Sequence, residues 1–447
     1  MFKKLLIANR GEIVSRIIRT CREMGIAAVA VYSEADREAP YLKEADEALC
    51  IGPANPLKSY LNMEALIEAA KKSKAEAIHP GYGFLSERGL FAEAVVEAGL
   101  VWIGPSPKVL RTISSKSYCR HLAHEVEVPV IPGTLDLVRD ARDVQQYGRE
   151  HGYPIFLKLD RGGGGKGIEI VRSEDQAEEV FKRACSIGQM AFGHSGCYLE
   201  EVVQEPRHIE VQFVADDFGN CLCLSERECS IQRRHQKIIE ESPSVVVSEE
   251  DRQRLFDWTR RLILRMGYQG AGTIEGLRSG DGHYYFMEIN ARLQVEHPVT
   301  EFLTGIDIVK SQLQIAAGER LPFRQEEIIR QGHAIEARVY AEDPETFFPS
   351  PGTITFLHLP EANRNLRIDH ALAAPMTVPP YYDPLLAKVI AWDQTRTGAT
   401  HRLIEALTTF RIDGVKTTIP TNLRLLQHHR FVSGDFSTAF VQELFND

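Results

Sequence analysis

Residues 272–298 read GTIEGLRSGDGHYYFMEINARLQVEHP. Two apolar runs flank a Ser-Gly-Asp-Gly turn at 279–282, the pattern of a β-hairpin with strands over residues 272–277 and 283–290. Side chains alternate along a strand, so Glu288 and Asn290 share one face. Glu275 falls nearly opposite them on the neighbouring strand. Two carboxylates and an amide oxygen then converge, a hard, oxygen-rich set suited to Mg2+ bridging nucleotide phosphates. The even-numbered row continues through Arg292, Gln294 and Glu296. If the chain stays extended, these polar groups line one side. A cation, an amide and a carboxylate beside a metal can bind an anion and take a proton from it. A polar face turned to water is the plainer reading of the hairpin alone, but it accounts poorly for the whole row.

Two other stretches carry charge in a deliberate pattern. Residues 161–167 read RGGGGKG, directly after an apolar strand expected over 155–159 that contains Lys158. Consecutive glycines let backbone N–H groups approach phosphate oxygens with no Cβ in the way, and the flanking lysines add charge. A Walker A loop is excluded, because Gly167 stands where Ser or Thr is needed. A flexible linker is the alternative; linkers rarely sit between apolar strands. Residues 226–237, ERECSIQRRHQK, follow a strand expected over 221–227 and read as one short loop crowded with basic and amide groups. The alternative there is a solvated charge run.

Upstream, the first 110 or so residues alternate strand and helix. Strands are expected at 4–9, 27–32, 77–79 and 101–103, and helices at 12–24, 60–72 and 90–98. Ile13, Ile17, Ile18 and Cys21 form the apolar stripe of the first helix. This order implies a parallel sheet covered on both faces, with ligands gathering beyond the strand C-termini. The turns at 9–12 and 79–83 lie there. No G-x-G-x-x-G fingerprint occurs. A helix is expected over 175–186 within a small mobile lid. From 207 onward strands dominate, with 208–215 first. Beyond about 333 come strands at 333–342 and 387–392 and helices at 397–408 and 419–428.

Bulk properties narrow the class. The chain has 447 residues, enough for two or three packed units. A net charge of −10 argues against a nucleic-acid binder. No apolar run is long enough for a membrane span. The eight cysteines form no dense framework and read as reduced thiols of a cytoplasmic protein. Cys221, Cys223 and Cys229 lack paired zinc spacing and read as small residues on a strand and the loop after it.

Taken together, the sequence resembles the biotin carboxylase family of ATP-grasp enzymes over nearly its whole length. The resemblance rests on ANRGEI at 8–13, HPGYGFLSE at 79–87, the glycine run, SIQRRHQKIIEE at 230–241 and EINARLQVEHPVTE at 288–301. PSPGTI at 349–354 and VPPYYDPLLAK at 378–388 add to it. It implies a mixed α/β and α+β fold: a Rossmann-like N-terminal domain over 1–114, an ATP-grasp domain over 115–330 with a mobile lid at about 130–203, and an α+β C-terminal domain over 331–447.

The resemblance also implies roles. Lys116 and Lys158 would hold ATP phosphates, with Gly164 and Gly165 over them. Glu200, Glu201, Val202 and Val203 would read adenine, largely through backbone. His208, Gln232 and His235 would flank the nucleotide. Glu275, Glu288 and Asn290 would hold Mg2+, or Mn2+ in its place. Lys237, Arg292, Gln294 and the Val295 backbone would hold bicarbonate, with Glu296 as general base. Arg338 would stabilise the enolate-like biotin near Tyr82 and Gly83. The implied reaction is attack of bicarbonate on the γ-phosphate of ATP, breakdown of carboxyphosphate, and capture of CO2 by biotin.

Some positions depart from the family pattern. Leu159, Asp160 and Arg161 stand where a small pair is common, Ile168 where Met is usual, and Gly276 where a bulky residue is common. No Ala-Met-Lys-Met string occurs, so biotin is expected on a biotin carboxyl carrier protein or domain. A further partner expected is the carboxyltransferase subunit. The resemblance implies a homodimer, to which Arg16 and Arg19 could contribute. The competing readings are another ATP-grasp ligase that joins an amine to an acyl phosphate, and a nucleotide-binding module without catalysis.

Overall fold

The computed structural model describes residues 1–162 and 167–446. The N-terminal part is a five-stranded parallel sheet in the order β3-β2-β1-β4-β5. Its strands are β1 (Lys4–Ile7), β2 (Ala27–Ser33), β3 (Glu47–Gly52), β4 (Ala77–His79) and β5 (Val101–Trp102). Helices α1 (Glu12–Glu23), α2 (Met63–Ser73) and α3 (Gly89–Glu97) connect them. The expected stripe holds: Ile13, Ile17, Ile18 and Cys21 are buried on α1. Edge strand β3 was not expected; its residues are mostly half-buried and carry little alternation. The turns at the strand C-termini meet where expected. Asn9 Nδ2 donates to the carbonyls of Pro80 and Tyr82, both at 2.7 Å. Gly81, at φ 63°, leaves that amide room, since a Cβ there would lie 2.7 Å from it.

Helices α4 (Pro107–Ile113) and α5 (Lys116–Glu125) lead into a small unit. It comprises α6 (Ala141–His151), β6 (Ile155–Leu159), β7 (Ile168–Val171), α7 (Ala177–Phe192) and β8 (Cys197–Glu201), with sheet order β7-β6-β8. It has its own core, including Val144, Leu157, Val180 and Leu199.

The rest is organised on one eight-stranded sheet in the order β13-β12-β9-β10-β11-β14-β19-β17. Its first strands are β9 (Arg207–Ala215), β10 (Cys221–Arg233) and β11 (Gln236–Ser242). After α8 (Glu249–Met266) come β12 (Gly270–Arg278), β13 (Tyr284–Asn290), α9 (His297–Thr304), α10 (Ile308–Ala316) and β14 (His333–Tyr340). Two short strands, β15 (Gly352–Ile354) and β16 (Phe356–His358), precede β17 (Leu366–His370), β18 (Met376–Val378), β19 (Leu385–Asp393) and α11 (Arg396–Thr409).

Two expectations are corrected here. Residues 226–237 are not a loop: they complete β10 and open β11, and the turn is confined to Arg234 and His235, both at positive φ. Its polar groups are buried on both faces, Arg227 toward the site and Glu226 and Glu228 against Arg252 and Arg207, so its polarity resembled a loop. Residues 291–296 do not stay extended, because β13 ends at Asn290 and Glu296 already sits at the N-cap of α9. Strands lead from 207 onward as expected, although α8 adds a helix of 18 residues among them. Cys221, Cys223 and Cys229 all lie buried on β10 as free thiols. Among the described residues, no helix is long and apolar enough to cross a membrane.

Candidate active site

The antiparallel register of β12 and β13 sets Glu275 opposite Glu288 and Thr273 opposite Asn290, as the hairpin reading requires. On the other side, β12 pairs with β9, placing Glu275 opposite Glu210. Strand alternation then puts His208 and Gln212 on the same face. Next along, β10 sets Arg227 opposite Glu210. The face is a row of charged groups across adjoining strands.

Its floor is held by a cation that never reaches solvent. Arg227 is fully buried and donates to Glu210, to Gln212 at 2.8 Å and to Thr300 at 2.9 Å. Above it, Lys237 Nζ sits among three carboxylates: Glu210 at 2.6 Å, Glu275 at 2.9 Å and Glu296 at 2.6 Å. His208 Nε2 lies 3.2 Å from Glu275.

The segment after β13 folds back over this floor. Arg292 donates to Asn290 at 3.0 Å, to Gln294 at 2.8 Å and to Glu87 at 3.0 Å. Gln294 Nε2 donates to Glu275 at 2.9 Å. Glu296 is fully buried and receives Arg338 at 2.8 Å on its second oxygen. The bent backbone therefore gathers Asn290, Arg292, Gln294 and Glu296 that a straight strand was expected to align. The Val295 carbonyl accepts from Lys388 at 2.9 Å.

Burial alone pushes the Glu296 carboxyl up, but Lys237, Arg338 and Arg227 overcome it and hold it well below the ordinary range. The same contest, won by Lys237 and His208, lowers Glu275. Lys237 is penalised by burial, yet the surrounding acids hold its pKa well above the ordinary value. All three groups are therefore charged at neutral pH.

At the mouth, Lys116 pairs with Glu288 at 2.6 Å. Lys158 pairs with Glu200, which also receives Arg120 at 2.8 Å. Glu200 is buried, and the Glu201 N–H is spent on the Pro132 carbonyl at 2.8 Å. Val202 and Val203 follow, half-buried, beyond the end of β8. Gln232 lies opposite Lys237, and His235 is exposed at the hairpin tip, its pKa lowered by partial burial and by Lys158. Tyr82 donates to Glu12, and Gly83, at φ 66°, has open space around it. Gly164 and Gly165 lie outside the described residues. Arg16 is not free for a partner: it is buried and bonds Glu301 and Asp307, both at 2.7 Å.

Four participants were not anticipated: Glu210, Arg227, Glu87 and Lys388. The signal for Glu210 was present in the alternation His208-Ile-Glu210-Val-Gln212. Glu87 closes the stretch HPGYGFLSE, whose expected roles fall on other residues.

The donor chemistry fits a hard divalent cation. Glu275, Glu288 and Asn290 offer oxygens that ammonium and guanidinium groups now engage. His208, Glu210 and Glu275 also lie close enough to share one ion.

A separate small unit of sheet order β7-β6-β8, carrying Lys158, beside a sheet face of acids and lysines, defines the ATP-grasp class of nucleotide-dependent ligases. The chain matches the family described as biotin carboxylase, N-terminal domain, over residues 1–110. It matches carbamoyl-phosphate synthase L chain, ATP binding domain, over 115–324, and biotin carboxylase C-terminal domain over 336–443. It is 47% identical to biotin carboxylase 2 of Bacillus subtilis over 99% of this chain and 100% of that one. The crystal structure of a biotin carboxylase–beta-gamma-ATP complex from Campylobacter jejuni superposes with a TM-score of 0.97 at 43% identity, covering 99% of each chain. The biotin carboxylase domain dimer of Hydrogenobacter thermophilus 2-oxoglutarate carboxylase, in complex with MgADP, ADP and bicarbonate, gives 0.96 at 43% identity, covering 99% and 98%. The chain belongs to the biotin carboxylase family.

Proposed function

We propose that this protein uses ATP and bicarbonate to carboxylate biotin, and that the cleft lined by Lys237, Arg292 and Glu296 is where bicarbonate is activated. The observation that carries the reading is the chain of contacts from Arg292 through Gln294 and Glu275 to Lys237 and Glu296. It puts two cations, an amide donor and a buried carboxylate around one spot beside the acids suited to Mg2+.

Lys116 and Lys158 hold the phosphates of ATP, with His208, Gln232 and His235 flanking the nucleotide and residues 200–203 at the base. Glu275, Glu288 and Asn290 hold Mg2+, which when bound neutralises charge on the phosphates. Arg292, Lys237, Gln294 and the Val295 backbone receive bicarbonate. Glu296 then takes its proton. A carboxylate held as low as Glu296 by Lys237 is a weak base. An anion that draws Lys237 toward itself removes the largest cationic influence on Glu296 and returns its basicity. The carboxyphosphate formed by attack on the γ-phosphate breaks to CO2 and phosphate. Biotin, beside Arg338 and the turn at Tyr82 and Gly83, gives its ureido N–H proton to the released phosphate and captures the CO2. Exclusion of water keeps carboxyphosphate from hydrolysis.

Biotin arrives on a carrier protein or domain, and a carboxyltransferase passes the carboxyl group on. The chain works as a homodimer. Biotin is the last group to meet the cleft in this reaction, so the final acceptor is set outside it.

The test is incubation with ATP, Mg2+ and labelled bicarbonate, with and without free biotin. Label on biotin is the expected result. ATP cleavage driven only by another carboxylate, with an amine as acceptor, would replace this reading with that of an amine ligase.

A further inference from the structure

Beyond Lys237, the same sheet carries two acids that the proposed reaction leaves unused. Glu240 lies on β11 and Glu336 on β14, and the antiparallel register sets them directly opposite each other. Cβ atoms so placed are about 5 Å apart. Both residues are 0% exposed. No carboxylate oxygen of either has a hydrogen-bond partner among the described residues.

Among the described residues one cation, Arg338, lies within ion-pair distance of the pair, while Lys388 and Lys237 act on it from farther off. Arg338 lies two residues beyond Glu336 on the same face. Its Nη2 closely approaches Glu240, without hydrogen-bond alignment, and also reaches Glu296 at 2.8 Å. The other charged groups are spent elsewhere. Lys237 of β11 holds Glu210, Glu275 and Glu296. Lys388 of β19 faces Glu12 at 3.2 Å, the Val295 carbonyl at 2.9 Å and, more distantly, Asp369 of β17. From α9, Glu296 adds negative charge, and burial keeps His297 neutral. From β10, burial keeps the Cys229 thiol neutral. Tyr340, further along β14, stands at 3.4 Å from Arg338.

Two carboxylates opposed in an interior cannot both ionise. A buried acid without a cation takes a proton instead. We propose that the Glu240–Glu336 pair carries one proton, on Glu336, with Glu240 as the carboxylate, and that this pair positions the Arg338 guanidinium beside Glu296. The role rests on the reading of Arg338 as the group that meets biotin. Both carboxyls follow this split: burial raises Glu240 to about 7 against the pull of Arg338, and carries Glu336 well above the ordinary range. As the pH falls through about 7, Glu240 takes up a second proton and Arg338 loses that anchor.

The pair gives Arg338 one anionic partner besides Glu296, where two ionised acids would compete with Glu296 for it. The two residues touch neither nucleotide nor bicarbonate in the proposed reaction and are positioning residues.

Infrared difference spectra of the wild type against Glu336→Gln, above neutral pH, test the proton directly. A carboxylic-acid C=O band present in the wild type and missing in the variant is expected. This measurement needs no turnover, so it separates failure of the pair from failure of the proposed activity. The second readout is biotin carboxylated per ATP cleaved as a function of pH. Glu336→Gln keeps a neutral, hydrogen-bonding side chain and retains the acid limb near neutrality. Glu240→Gln loses that limb, and its ratio falls by on the order of tenfold to a hundredfold. Glu240→Asp, which keeps the charge on a shorter stem, restores the limb. Absence of the band, or an unaltered limb in a folded Glu240→Gln protein, overturns the proposal.

Discussion

Lys237 sets the charge balance of the cleft. One ammonium serves Glu210, Glu275 and Glu296, and only part of that demand is met by Arg227, His208 and Arg338. Removing one partner of a buried ionic cluster leaves uncompensated charge. Lys237→Met is expected to lower unfolding free energy by about 3 kcal/mol, read by denaturant titration, and to abolish bicarbonate-dependent ATP cleavage. Glu296→Gln keeps shape and polarity but accepts no proton. It is expected to slow bicarbonate-dependent ATP cleavage by about a hundredfold or more while nucleotide affinity, measured calorimetrically, stays within a few-fold. Unchanged turnover would remove Glu296 from its role. Glu275, Glu288 and Asn290 were readable from strand alternation alone. Arg292, Gln294 and Glu296 were gathered as expected but through a bend and a helix N-terminus, not an extended strand. A tight turn after β13 has no signature in the residue pattern, because Leu293 and Val295 look equally at home in a strand.

The small unit that carries the glycine run depends on close backbone approach. A Cβ on Gly188 of α7 would lie 2.5 Å from the His194 carbonyl and 2.7 Å from Leu159 Cδ2. Leu159 in turn lies against Gly167, at the far end of the glycine run. Gly188→Ala is expected to destabilise this unit by about 1–3 kcal/mol, seen as faster amide exchange confined to β6–β8 and α7, with a raised KM for ATP. Exchange spreading evenly over the whole chain would contradict that localisation. Periodicity found most helices and strands of the N-terminal part, where one face is buried. It failed on β10 and β11, whose polar residues are buried on both faces and so break the expected alternation. Helix α8 carried plain signals, Ser248 capping the Asp251 N–H and Gly267 in the left-handed conformation, within residues whose strand content drew the reading elsewhere.

The eight-stranded sheet joins the site to the C-terminal part without a break, since β11 pairs with β14 and β14 with β19. At that joint Glu241 receives His333 at 2.6 Å and Arg396 at 2.7 Å. Burial opposes its charge, but these partners lower its carboxyl from 4.5 to about 2. A depressed folded-state pKa contributes stability above the unfolded value that is lost as pH falls. Between pH 4.5 and about 2 the joint is expected to lose about 3 kcal/mol. Glu241→Gln should flatten the acid limb of thermal stability over that window; a limb of unchanged slope would assign it to other acids. The layout of a parallel α/β part, a nucleotide-grasping part and an α+β part followed from motif order. The shared sheet did not, because its pairings join strands far apart in sequence. In the proposed reaction, bicarbonate oxygen passes to phosphate within the cleft. The decisive measurement follows oxygen-18 from labelled bicarbonate during ATP cleavage with biotin present. One labelled oxygen in each phosphate released is expected, with labelled phosphate forming about a hundredfold more slowly in Glu296→Gln. Phosphate carrying oxygen from water alone would contradict bicarbonate activation at this site.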